Sequence, residues 1–208
     1  MIQLGWTPIA FMALLTFANH TDGFIIPVIN RMECKFDERF VNLTCSLTEP
    51  NSATNQSVSL DVEVLREMRE VKLTAAYYTV TRGSVNRILQ RTVDLCSYVK
   101  RPGIDRLVKV IFDHMQLNNR FVTGCPIAEN ERFHLHNIRP SAIRVPDFLP
   151  ESNFIFETSY RTGALLKPVV DVRYYGRLTR VVNDKSLSKQ NNRIYNAHRG
   201  MNKSRVAT

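Results

Sequence analysis

A chain of 208 residues with 44% hydrophobic content can bury one sizeable core and has little left for a second. The net charge of +9 is concentrated at one end, where residues 181–208 carry six cations (Lys185, Lys189, Arg193, Arg199, Lys203, Arg205) against Asp184, a surplus of +5. The rest is mildly basic and has no aromatic-plus-basic motif of the known nucleic-acid modules, which argues against a nucleic-acid partner.

In chain order, the first feature is the apolar run at residues 9–17, Ile-Ala-Phe-Met-Ala-Leu-Leu-Thr-Phe, followed by small residues at a candidate cleavage site, Thr16-Phe17-Ala18. Its length fits the core of a signal peptide and falls short of the ~20 apolar residues needed to span a bilayer. No Lys or Arg precedes it. The expectation is a signal peptide over residues 1–22 and no transmembrane segment, since no second long apolar run follows. A secreted, extracellular protein is therefore expected.

The cysteines point to the same compartment. Four occur, Cys34, Cys45, Cys96 and Cys125, in neither a C-x-x-C zinc pattern nor a redox motif. In an oxidising compartment they read as two disulfides, for which three connectivities are open. Cys34 and Cys45 stand almost symmetrically about a polar turn at Asp37-Glu38-Arg39, and Cys96 and Cys125 bracket a helical segment. These placements favour 34 with 45 and 96 with 125. Asn42-Leu43-Thr44 and Asn55-Gln56-Ser57 are glycosylation sequons, so Asn42 and Asn55 are candidate glycan sites.

Residues 32–47 read as a hairpin of two short strands about that turn, and residues 50–56 as a loop. Val58, Leu60, Val62 and Val64 then alternate with Ser59, Asp61 and Glu63, a strand with one buried and one wet face. Val71, Leu73, Ala75 and Tyr77 make a second. After a turn at Arg82-Gly83-Ser84, Leu89, Val93 and Leu95 share one side of a third. The period changes over residues 103–117, where Ile104, Leu107, Val108, Ile111 and Met115 recur every three or four residues, predicting one amphipathic helix. Short strands follow at residues 133–138, at Phe154, Phe156 and Tyr160, and at residues 169–178 with Val170, Val172 and Tyr174 on one face. Six or seven strands with one helical crossover predict a mainly β sandwich rather than a doubly wound sheet. The polar tail, residues 181–208, is expected to be disordered.

Chemistry is sparse along this chain. No nucleophile elbow, H-E-x-x-H pair, P-loop or dinucleotide fingerprint is present. His134 and His136 share one face of a strand, as a pair of metal ligands would, but read more simply as solvent-facing rings opposite Phe133, Leu135 and Asn137. His114 and His198 stand elsewhere. Asp147 and Glu151, among prolines, read as turn residues. The expectation is no enzyme, no cofactor and no metal. The apolar faces are more informative. Val62, Val64, Leu73, Tyr77, Phe154, Phe156, Tyr160, Val170, Val172 and Tyr174 all belong to one interior. That interior is either a packed core, which composition favours, or a ligand cavity, because the two use the same residue types.

Several segments together resemble the insect CheB-like family. They are Ile29-Asn30-Arg31-Met32-Glu33-Cys34, Phe40-Val41-Asn42-Leu43-Thr44-Cys45-Ser46-Leu47, Asp94-Leu95-Cys96-Ser97-Tyr98-Val99, Gly124-Cys125-Pro126, and Val145-Pro146-Asp147-Phe148-Leu149-Pro150 before Asn153-Phe154-Ile155-Phe156. The resemblance spans about residues 29–180. It implies a secreted, immunoglobulin-like β-sandwich similar to the ML lipid-recognition domains, which hold lipid between their sheets. Some members of the family are linked to chemosensation or pheromone response. Two features depart from it: Glu151-Ser152 stands where a Gly is usual, and the basic tail has no counterpart.

The resulting expectation is a binding protein for a lipid or other small hydrophobic ligand, with the ten residues above as its lining. Lys72, Arg82 or Arg173 would hold a head group at the rim. The alternative is a dry-core interaction protein acting on a cell-surface receptor or matrix through its surface.

Overall fold

The computed structural model describes residues 23–101, 105, 108, 109, 122, 124–143, 145 and 149–182. Residues 1–22, most of the expected helix at 103–117, and the tail beyond Val182 lie outside these. So do His114, Asp147 and His198.

Among the described residues, eight strands form two antiparallel sheets. The elements are β1 (Gly23–Phe36), β2 (Val41–Thr48), β3 (Ser57–Val64), β4 (Val71–Thr81), β5 (Ser84–Asp94), a short helix α1 (Leu95–Lys100), β6 (Arg132–Ile138), β7 (Asn153–Thr162) and β8 (Lys167–Val182). One sheet has the order β1-β8-β7-β4-β5 and the other β2-β3-β6. The expected mainly β sandwich is what forms. Its core lies between the sheets, where Val41, Val58 and Phe133 of the smaller sheet meet Val71, Leu73 and Val172 of the larger.

Three local expectations differ from the structure. The turn after Phe36 does not close a hairpin, because β1 pairs with β8 and β2 with β3. The chain therefore changes sheets there, and the Cys34–Cys45 disulfide joins the two layers, with Cα atoms 6.6 Å apart. Leu95 does not extend β5. It is the first residue of α1, because the Asp94 carboxylate accepts a hydrogen bond from Ser97 N at 2.7 Å and caps a helix there. Asn137 does not join the inner face of β6. It takes a left-handed φ of 57°, the register shifts against β3, and Ile138 turns inward instead.

The first strand begins well before the residue expected. The run Phe24-Ile25-Ile26-Pro27-Val28-Ile29 is continuous and apolar, as a strand buried on both faces should be, and Ile25 and Val28 are each 1% exposed. Pro27, which has no N–H to offer, is tolerated because β1 is an edge strand. Gln56, read from sequence as a loop residue, is 3% exposed. Its Oε1 accepts from Ile29 N at 2.8 Å and its Nε2 donates to Ile29 O, closing the ladder where β1 bulges.

Cys96 is bonded to Cys125, which ties α1 to the segment before β6. Both cysteine pairs are those favoured by the sequence, and among the described residues no cysteine is free. Likewise among the described residues, no helix is long and apolar enough to cross a membrane.

Candidate functional site: an apolar cavity between the sheets

The two inner faces do not close on each other completely. Between them lies a cavity of about 290 Å³, close to the ~300 Å³ lower bound of typical ligand pockets. Strand alternation builds its wall. Leu60, Val62 and Val64 project from β3, Leu73, Ala75 and Tyr77 from β4, and Val170, Val172 and Tyr174 from β8. Phe154, Phe156, Thr158 and Tyr160 of β7 complete a second row beside them. All ten residues singled out from the sequence line this space. The reading missed the contributions of Ile127, Pro140 and Val145, which lie on connections with no period to reveal them.

The lining is almost uniformly apolar. Among the described lining residues none carries a charge, and side-chain oxygen is limited to Tyr77, Thr158, Tyr160 and Tyr174. The aromatic rings make a continuous wall: Tyr77 stacks on Phe154 with centroids 5.8 Å apart, and Phe156 on Tyr174 at 6.0 Å. Burial pushes the Tyr160 phenol up to about 12 and raises that of Tyr174 still further, with Tyr160 adding to the shift. Burial likewise raises Tyr77, opposed by Ser152, although the Tyr77 hydroxyl makes no hydrogen bond of ordinary geometry. All three are neutral at physiological pH.

The cations expected at the rim do not line the cavity. Lys72 precedes Leu73 and Arg173 falls between Val172 and Tyr174, so alternation turns both to the outer face of the large sheet. There Arg173 Nε donates to Glu157 at 3.2 Å. Arg82 sits in the β4–β5 turn.

The histidine pair stands apart from the cavity, on the outer face of the small sheet. His134 Nδ1 and His136 Nε2 each lie 2.7 Å from Asp61 Oδ1, and the three ligand atoms fall within 4.8 Å of one another. Sequence reading paired the two rings but missed Asp61, which reaches them because β3 and β6 place Asp61 opposite His134. The carboxylate gives both rings a hydrogen-bond partner without an ion. Glu151, read from the sequence as a turn residue, lies 3.5 Å from Arg180.

Both sequon asparagines are exposed, Asn42 on the outer face of β2 and Asn55 in the following loop.

Residues 72–156, from β4 into β7, match a family model described as "Protein of unknown function (DUF1091)". The match includes the Asp94–Val99 and Gly124–Pro126 segments on which the CheB-like resemblance partly rests. No curated protein matches the chain. Among solved structures, chicken MD-1 complexed with lipid IVa is similar at 12% identity, over 74% of this chain and 96% of that one, with a TM-score of 0.32.

Proposed function

We propose that this protein is a secreted carrier or presenter of a small hydrophobic molecule, lipid-like in character, held between its two sheets. The cavity carries this reading. A packed core of the same residue types would fill this space, yet an apolar volume of about 290 Å³ is left between the sheets. Water is a poor occupant, since it needs two to four polar partners and this wall offers few. An apolar ligand fits it, gaining ~0.8 kcal/mol for each CH₂ it removes from water.

Binding, rather than catalysis, fits the same wall. The described lining residues include no His, Cys, Ser, Lys or carboxylate to act as nucleophile or general base. Two formed disulfides and two exposed sequons support an extracellular setting. A role in chemosensation or pheromone response belongs to the same proposal and rests on the CheB-like resemblance alone. The ten lining residues named from the sequence would be its ligand contacts, and Asn42 and Asn55 its glycan sites.

The test is native mass spectrometry of protein secreted from eukaryotic cells, followed by organic extraction. A reproducible mass excess beyond glycans, extractable as one lipid class, is expected. A bare protein that also takes up no member of a panel of fatty acids and long-chain hydrocarbons would overturn the reading in favour of an interaction protein that acts through its surface.

A further inference from the structure

Three phenols line the cavity, Tyr77, Tyr160 and Tyr174, and none of their hydroxyls makes a hydrogen bond of ordinary geometry within the described residues. Tyr160 on β7 and Tyr174 on β8 are half-buried. Neither hydroxyl has a hydrogen-bond partner among the described residues. Tyr160 and Tyr174 stand on neighbouring strands, on either side of the Thr158–Val172 pair, with Tyr77 in register with Phe156 and Tyr174 on the same wall. A hydroxyl that an apolar ligand cuts off from water without giving it a partner is costly.

We propose that Tyr160 and Tyr174 form a polar recognition point within the apolar cavity, selecting a long-chain ligand that bears a neutral oxygen (an alcohol, ester or carbonyl) over a plain hydrocarbon. The inference deepens the carrier reading and rests on it. Two neutral phenols donate to such an oxygen and also accept from an alcohol. A charged head group is disfavoured at the same place, because the described wall offers no cation and a buried, unpaired carboxylate costs several kcal/mol. The selectivity comes from the protein's own desolvated hydroxyls: an alkane leaves them unbonded, whereas an oxygenated chain satisfies them.

The experiment is a competition read by native mass spectrometry, with n-heptadecane and 1-hexadecanol presented together at equal concentration to the wild-type protein and to the Tyr160→Phe, Tyr174→Phe and double variants. The wild type is expected to favour the alcohol about tenfold, the size of one well-made hydrogen bond. The double variant should lose most of that preference. Equal binding by the wild type, which needs no variant to fold, would overturn the inference and leave the carrier reading standing. A preference that survives in a folded double variant would overturn it as well. Uptake of neither probe would remove the carrier reading, and this inference with it.

Discussion

Cys34 on β1 and Cys45 on β2 are bonded across the two sheets, their Cα atoms 6.6 Å apart and their positions eleven residues apart in sequence. The bond fixes the distance between layers at one edge of the cavity. Replacing both cysteines by Ala is expected to destabilise the protein by about 2–4 kcal/mol, chiefly by freeing the unfolded chain. Denaturant titration of the variant and the wild type measures this through the shift in midpoint. An unchanged midpoint would mean that the sheets are held together by apolar burial alone.

Gly176 and Phe154 give a sharper prediction. A Cβ on Gly176 would stand 2.3 Å from Val28 O and 2.8 Å from Phe154 Cζ. The ring could shift, but the carbonyl belongs to β1, which pairs with β8 at this point. Gly176→Ala should therefore cost about 1–3 kcal/mol or more. Adding Phe154→Leu should not restore the loss, because the backbone clash remains. Full recovery in the double variant would place the strain on the ring instead.

Gln56 supplies both halves of a backbone-like pairing with Ile29. Gln56→Leu leaves Ile29 N without its partner, while Ile29 O keeps the hydrogen bond from Asn51 N at 3.0 Å, and is expected to cost about 1–3 kcal/mol. Gln56→Glu separates the halves, since a carboxylate accepts from Ile29 N but cannot donate to Ile29 O, whereas a protonated carboxyl can do both. Burial raises the pKa of such a group, so the deficit relative to wild type should be largest at neutral pH and shrink as pH falls through that raised value. Thermal melts at pH 7 and pH 4 would show it. A deficit independent of pH would mean that the side chain has left the site.

The inner faces of the sandwich were legible because alternation is a local property. Val62, Leu73 and Phe154 each announce their facing by their neighbours in sequence, and a strand has only two faces to choose between. Whether those faces touch or leave a void was not legible, because spacing between sheets depends on how the connections brace them, and Val and Leu serve a packed wall and an open one equally well. Gln56 and Asp61 were missed for a related reason. Each acts through a partner distant in sequence: Ile29, 27 residues away and on the opposite sheet, and His134, 73 residues away on the paired strand. The rim cations failed on parity alone: Lys72 and Arg173 stand one residue from inward side chains and so point the opposite way. Had the alternation been applied to them as strictly as to Leu73, they would have been set aside.

Asp61 offers a test by titration. Its carboxyl is held below the usual Asp range, first by the hydrogen bond from His134 and then by His136, with burial opposing. A depressed folded-state pKa means that the contribution is complete above the unfolded-state value and is lost as pH falls through the folded one. Asp61→Asn should thus cost stability at pH 6–7, and the difference from wild type should begin to fade below about pH 4 and be gone only once the pH has fallen through the depressed folded-state value. The side chain is 43% exposed, so solvent screening keeps the effect under about 1 kcal/mol. A difference that grows at low pH would contradict the assigned hydrogen bonds.

Ala75 provides the means to separate the cavity from the fold. It is a half-buried residue on the cavity wall, between Leu73 and Tyr77 on β4, and its small side chain leaves the space before it open. An aromatic ring there would fill part of the void with the protein's own carbon. Ala75→Phe is expected to hold or raise stability, by about 0.5–2 kcal/mol where the ring fits without strain. It should at the same time lower the uptake of long-chain probes tenfold or more, because ligand and side chain compete for one volume. Uptake must fall without a loss of stability for the cavity to be the binding site. If stability rises while uptake is unchanged, the ligand lies elsewhere on the protein. If stability falls with uptake, the ring has disturbed the β4 wall, and the smaller Ala75→Leu then decides between the two.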